Sequence, residues 1–365
     1  MSIVADMPRR RYDIDHLFRA VCLIVPLIAL LLFFAYPLAT VFIQSVTQPD
    51  GHVGFDNYAR ILASAGFWAA AVNSLTMTIA TTISVLGLGL VIAYAVQRSK
   101  VPGRALIIGA VSLPLLAPSL VQGLGLIFLL GRNGVVAKTT GLDIEIYGFW
   151  GLLIANGLYA LPQAVLIIGA ALRAADARIY EAAEVIGAPH WRQFIDITLP
   201  NIKFGLISAG FIVFTVTITD FGNAATIGGD YAILATEIYN QSVGQMNFNL
   251  GAVVGIMLLL PTVLAFYLER VASQRQFGSV SDSALPLHPV YTPKRDIPMT
   301  IAAWLIALLP VMTVGIVIYA SFVYLWPYRF DLTLRHYDVK VAGGYDPLWT
   351  TIQISLIAAT LGTVL

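Results

Sequence analysis

Eight stretches of this sequence are long enough and poor enough in charge to cross a bilayer as helices: residues 20–46, 67–96, 105–131, 148–172, 204–227, 250–268, 299–325 and 348–365. A hydrocarbon core about 30 Å thick takes roughly 20 apolar residues of helix, since each residue rises about 1.5 Å. Composition agrees. Hydrophobic residues make up 58% of the chain and charged residues 11%, whereas a soluble domain carries about 25% charged residues. The expected fold class is all-α, a polytopic membrane protein. The run at 20–46 is too long for a signal-peptide core and no small-residue cleavage site follows it, so it is read as a retained span. A net charge of +1 offers no footprint for nucleic acid. The single cysteine, Cys22, lies in an apolar run and is expected to serve packing.

Lysine and arginine predict the orientation. Arg9, Arg10, Arg11 and Arg19 precede the first run, and Arg98, Lys100 and Arg104 follow the second. Arg173, Arg178, Arg192 and Lys203 follow the fourth, and Arg270, Arg275, Lys294 and Arg295 the sixth. The opposite loops carry fewer: Arg60, Arg132, Lys138, Arg329, Arg335 and Lys340. The positive-inside rule then predicts a cytoplasmic N-terminus and puts the loop at 173–203 in the cytoplasm.

Two segments resemble one another. NYARILASAGFWAAAVNSLTMTIATTISVL starts at Asn57, and HYDVKVAGGYDPLWTTIQISLIAATLGTVL starts at His336. Each reads as a Tyr-bearing exterior loop, then a Trp, then a span rich in Thr, Ser and small residues, so a parallel repeat is expected. The predicted organisation is a cytoplasmic tail at 1–19, a six-span unit at 20–268, a cytoplasmic linker at 269–298, and the start of a second unit at 299–365. The second unit stops inside its second span, which suggests a fragment of a twelve-span chain.

Between the fourth and fifth runs lies a compact polar island, YEAAEVIGAPHWRQFIDITLP, from Tyr180 to Pro200. Ile179, Ala182, Ala183 and Ile186 recur at helical spacing. Trp191, Phe194, Ile195 and Thr198 repeat it, so each set predicts the apolar face of a short helix. Glu181 and Glu184 project away from the first face, and Arg192, Gln193 and Asp196 from the second. Gly187 suits the left-handed position that closes the first helix, and Pro189 the first turn of the next. Leu199-Pro200 is then expected to turn the chain into the span near Phe204.

At these residues the sequence resembles the cytoplasmic EAA loop of ABC-importer permeases: Glu181-Ala182-Ala183, three residues, Gly187, nine residues, Ile197, one residue, Leu199-Pro200. GFDNYARIL from Gly54, LPLLAPSLVQGLGLIFLLGRNG from Leu113 and TDFGNAATIGGDYAILATEIYNQ from Thr219 are similar to one branch of that family, the fused two-copy permeases for ferric iron and 2-aminoethylphosphonate. The resemblance implies a type I ABC importer fold in the bacterial inner membrane. Its implied partners are a pair of ABC ATPase subunits gripping the loop and a periplasmic solute-binding protein at the exterior. ATP would be used by those ATPase subunits, with no cofactor or metal bound by this chain and no catalysis in it. The solute expected first is 2-aminoethylphosphonate, with ferric iron the alternative. A fused permease carries a second EAA loop, and none occurs before Leu365.

Enzyme motifs such as HExxH, GxSxG and the GxxxxGK phosphate loop are missing. The rival from another class is an ion-coupled secondary transporter. It needs buried carboxylates, and Asp220 alone stands within a predicted span. Asp220, Gln122 and Thr217 are the candidates for a path or gate. Asp220 falls near the outer edge, where a loop-capping role is equally expected. Thr215, Thr217 and Thr219 alternate before it, with hydroxyls suited to bonds between helices, and Asn156 is a further polar side chain at depth. Gly87, Gly89, Gly123 and Gly125 are expected to let helices approach closely.

Overall fold

The computed structural model describes residues 9–48, 50–142, 144–273, 287, 289–339 and 343–364. Among them, seven helices are long and apolar enough to cross a membrane. The first span is Phe18–Val46, the second Ala65–Arg98, the fourth Phe149–Arg173 and the seventh Pro293–Ser321. The third is Ser119–Thr140, preceded, across a break, by the shorter apolar helix Arg104–Leu116. The fifth runs His190–Ile218 and the sixth Phe248–Val271. The eighth expected run is a helix, Asp346–Val364, but Asp346, Gln353 and its threonines leave it less apolar than the other seven.

Proline accounts for several departures from the expected boundaries. Pro118 has no N–H and pushes the residue before it out of the helical region, so Ala117 and Pro118 are both extended and the run at 105–131 breaks in two. Pro37 and Pro200 act more gently. Each withholds the N–H that would reach the carbonyl four residues earlier, Phe33 or Asp196. Both carbonyls lie in π-helical segments, Leu31–Ala35 and Gln193–Thr198, which absorb the missing bond without ending the helix.

Consequently Leu199-Pro200 makes no turn. The second helix of the polar island is continuous with the fifth span, which starts well before Phe204. That span then ends at Ile218, and a separate short helix, Gly222–Ile227, completes the run. The seventh helix stops at Ser321, short of Leu325. Val323–Leu325 instead pairs antiparallel with Arg329–Leu332, because β-branched and aromatic residues followed by Trp326-Pro327 suit a hairpin better than another helical turn. Helix also occupies parts of the predicted tail and linker, from Arg9 and through Ser273, and again from Pro293. The remainder of the linker, residues 274–286 and 288, lies outside the described residues, as does the tail at 1–8.

The second and fourth spans pack along much of their length, and the fifth lies against both. Between lipid-exposed helices the attraction is close packing more than water exclusion, so small residues sit at the contacts. Ala93, Ala160, Ala164 and Ala209 are buried in the main core together with Ile92, Leu161, Ile168 and Val213. Gly89 presses on Ala164, and a side chain on Gly125 would overlap the backbone of Thr313 in the seventh span. Gly87 faces no neighbour, contrary to expectation. The first span is the exception to this packing. Its most apolar stretch has no residue buried, and Cys22 is exposed, not packed within this chain.

The turns after the first and seventh spans share one arrangement. Ser45 bonds the Phe42 carbonyl and the Tyr58 hydroxyl, and Asn57 donates to the Thr47 carbonyl. Ser321 likewise bonds the Ile318 carbonyl and the Tyr337 hydroxyl, and His336 meets the Val323 carbonyl. Asn57 and His336 are the first residues of the two similar segments.

Candidate functional site

The first helix of the polar island is Ala177–Val185. Asp176 caps its start by accepting the Arg178 N–H at 3.0 Å. Its end is a Schellman motif: the Ala188 N–H reaches the Ala183 carbonyl and the Gly187 N–H the Glu184 carbonyl, both at 2.9 Å. Gly187 takes φ +74° with open space around it, so backbone conformation alone explains the glycine. Pro189 sits one place earlier than expected, as the extended residue before the helical turn His190–Arg192.

The buried face is not the predicted one. Ala177, Tyr180 and Ala183 turn inward, whereas Ile179, Ala182 and Ile186 are exposed. On the next helix Gln193 and Thr198 are buried, and Trp191 and Ile195 are exposed. Val185 is 88% exposed, Ile186 82% and Trp191 61%, and Glu181 and Glu184 are exposed as well. Of the motif residues, Glu181, Ala182, Gly187, Leu199 and Pro200 are at the surface, Ile197 is half-buried, and Ala183 is inside.

Contacts from distant parts of the chain hold the island, and no local sequence signal marks them. Tyr180 and Thr198 share a hydrogen bond of 3.0 Å between their hydroxyls. The Arg98 guanidinium, at the end of the second span, lies 4.6 Å from the centre of the Tyr180 ring and donates to the Leu172 carbonyl at 2.8 Å. Tyr94 meets Phe194 edge-on, 5.6 Å between centroids. The spacing Ala177, Tyr180, Ala183 is a helical stripe that competes with the one predicted, and only packing selects between them.

The path candidates lie at a second locus, where the two broken spans meet. Asp220 accepts the Asn223 N–H at 2.9 Å, so it caps the short helix Gly222–Ile227, and a side chain on Gly222 would overlap Ser119 and Leu120 at the break in the third span. Asn223 donates to Asn156 at 2.9 Å and accepts the Gly123 N–H at 3.1 Å. Gln122 accepts a bond from Thr313 at 2.8 Å, linking the third span to the seventh. The buried amide nitrogens of Gln122 and Asn156 have no partner among the described residues. No hydrogen bond joins Thr217 to this cluster: its buried hydroxyl, like that of Thr215, is without a partner among the described residues. Thr219 bonds back to Thr215 in its own helix, so the expected bonds between helices are not made by this trio.

At the opposite end from the island, Arg132, Glu145, Tyr147, Phe149, Asp230 and Tyr231 border an open cavity of about 570 Å³. No group of His, Cys, Asp and Glu suited to a metal ion occurs among the described residues.

Comparison with known proteins places these features in context. The family described as binding-protein-dependent transport system inner membrane component matches residues 85–278, from within the second span past the island. The ferric transport system permease protein of Actinobacillus pleuropneumoniae is 28% identical over 361 residues, covering 93% of this chain and 51% of that protein. The chain thus spans about half the length of such relatives. A candidate 2-aminoethylphosphonate transport system permease protein of Salmonella typhi is 24% identical over 262 residues, 69% of this chain and 91% of that protein. A bacterial alginate ABC transporter, solved with an alginate pentasaccharide-bound periplasmic protein, shares the fold. Its TM-score is 0.60 at 19% identity, over 75% of this chain and 100% of the matched one.

Proposed function

The chain belongs to the binding-protein-dependent transport system inner membrane component family, and from that premise we propose that it forms the transmembrane path of an ATP-driven importer. In this reading Ala177–Val185 is the coupling helix, lies in the cytoplasm, and seats in a groove of an ABC ATPase subunit. The observation that carries the proposal is the shared exposure of Val185, Ile186 and Trp191 and of Glu181 and Glu184 on this island. Large apolar side chains held outward on a capped, anchored helix suit a protein partner, with the carboxylates adding charge-assisted contacts. ATP is then used by the partner, and a periplasmic binding protein delivers solute to the far end, where the cavity around Arg132 and Tyr231 offers a surface.

Two further readings accompany this one. The paired Ser–Tyr turns support a repeat, with the seventh span opening a second unit after a linker. For the solute, the ferric relative matches over 93% of the chain and the phosphonate relative over 69%. Ferric iron therefore moves ahead of 2-aminoethylphosphonate.

The test is cysteine crosslinking from Ala182→Cys, in a Cys22→Ser background, to the co-expressed ATPase in native membranes, together with uptake of ferric iron and of 2-aminoethylphosphonate. Crosslinks to the ATPase and ATP-dependent uptake of one solute are expected. Ala182→Cys labelled from the periplasm, or uptake that persists without the ATPase, would sink the proposal and favour an ion-coupled transporter.

A further inference from the structure

A buried charge joins the island to the spans. Arg98 is 4% exposed and makes no ion pair among the described residues. Its Nε has no hydrogen-bond partner among the described residues. An unpaired buried charge is costly, so its surroundings are informative. The guanidinium terminates the second span and donates to a carbonyl near the C-terminal end of the fourth, where the helix dipole favours a cation. It also lies over the ring of Tyr180. Tyr180 in turn bonds Thr198, the last residue of the π-helical segment leading into the fifth span. One side chain therefore touches the second and fourth spans and the island helix, and reaches the fifth through a single hydroxyl pair. A cavity of about 300 Å³ adjoins it, bordered by Arg98, Tyr180, Glu181, Gln193 and Arg295, which leaves room for the contact to shift.

We propose that Arg98 is the positioning residue that transmits displacement of the coupling helix to the second span, through the Tyr180 ring and the Leu172 carbonyl. This rests on the assignment of Ala177–Val185 as the coupling helix. A guanidinium held by a ring face and one carbonyl is bound less tightly than in a buried ion pair, so the joint can re-seat between two packings without stranding a carboxylate. Its planar shape serves both contacts at once, as a lysine ammonium does less well.

The experiment uses the permease co-expressed with its ATPase in lipid nanodiscs, with Cys22→Ser and spin labels at Ala69→Cys in the second span and Val263→Cys in the sixth. The distance between labels is read without nucleotide and after trapping with ATP and vanadate. The parent is expected to show a nucleotide-dependent shift, Arg98→Gln to lose it while still co-purifying with the ATPase, and Arg98→Lys to recover part of it. Tyr180→Leu, which removes the ring face beneath the guanidinium, is expected to show a reduced shift. It carries the test if Arg98→Gln does not insert. A full shift in Arg98→Gln, or in Tyr180→Leu when it stands alone, overturns the joint and leaves the coupling assignment intact. No shift in the parent with the ATPase bound also overturns the joint alone. A parent that binds no ATPase overturns both.

Discussion

Single residues decide the shape of the island. Gly187 has no neighbour within van der Waals reach, so a substitution there acts through backbone conformation alone. A side chain at positive φ costs about 1–2 kcal/mol, least for Asn and most for a β-branched residue. Gly187→Asn should therefore keep ATPase co-purification near the parent level, Gly187→Ala should lower it, and Gly187→Val should lower it furthest while the spans still insert. Asp220 allows a similar dissection. Asp220→Ala removes the cap of Gly222–Ile227, for a loss of about 1 kcal/mol readable as a lower melting temperature in detergent. Asp220→Asn keeps an acceptor. If capping is its role, uptake in Asp220→Asn should match the parent; uptake abolished at unchanged stability would assign it to the gate instead.

At the scale of elements, prolines and glycines set how helices bend and meet. Pro37 and Pro200 each follow a π-helical segment that keeps its helix going, whereas Pro118, behind an extended Ala117, ends one. Positions of these residues are plain in the sequence. Whether a proline bends or breaks a helix depends on what the freed backbone finds nearby, and at Pro118 that is the Gly222 turn, pressed against Ser119 and Leu120. Gly125 is a comparable contact, against the backbone of Thr313. Gly125→Val should separate the third and seventh spans and lower the melting temperature markedly, because overpacking a close contact costs about 1–3 kcal/mol. Gly87→Ala, facing open space, is the matched control and should leave it unchanged or slightly raised.

Across the whole molecule the paired turns make the repeat measurable. If Ser45 and Ser321 occupy equivalent places, Ser45→Ala and Ser321→Ala should each cost about 1 kcal/mol, the worth of a typical hydrogen bond, and the two losses should add. Calorimetry of the single and double variants checks this. A loss at Ser45 with none at Ser321 would argue against equivalence. The seventh span packs on the second and third, with Trp304 against Gly103 in the turn between them and Thr313 against Gln122 and Gly125.

Local signals in the chain suffice for the class of the protein, the approximate place of its spans, the island and the stop at Gly187. These follow from local physics: a bilayer demands length and apolarity from each span separately, and a helix cap involves only neighbours in the chain. Tertiary structure alone decided which face of the island turns outward, how the breaks at Pro118 and Asp220 join, and where Arg98 binds. Apolar residues lie on both sides of Ala177–Val185, so helical period cannot choose between Tyr180 and Ile179 as the inward residue. The choice is made by Arg98, Leu172 and Thr198, which come together only when three spans pack.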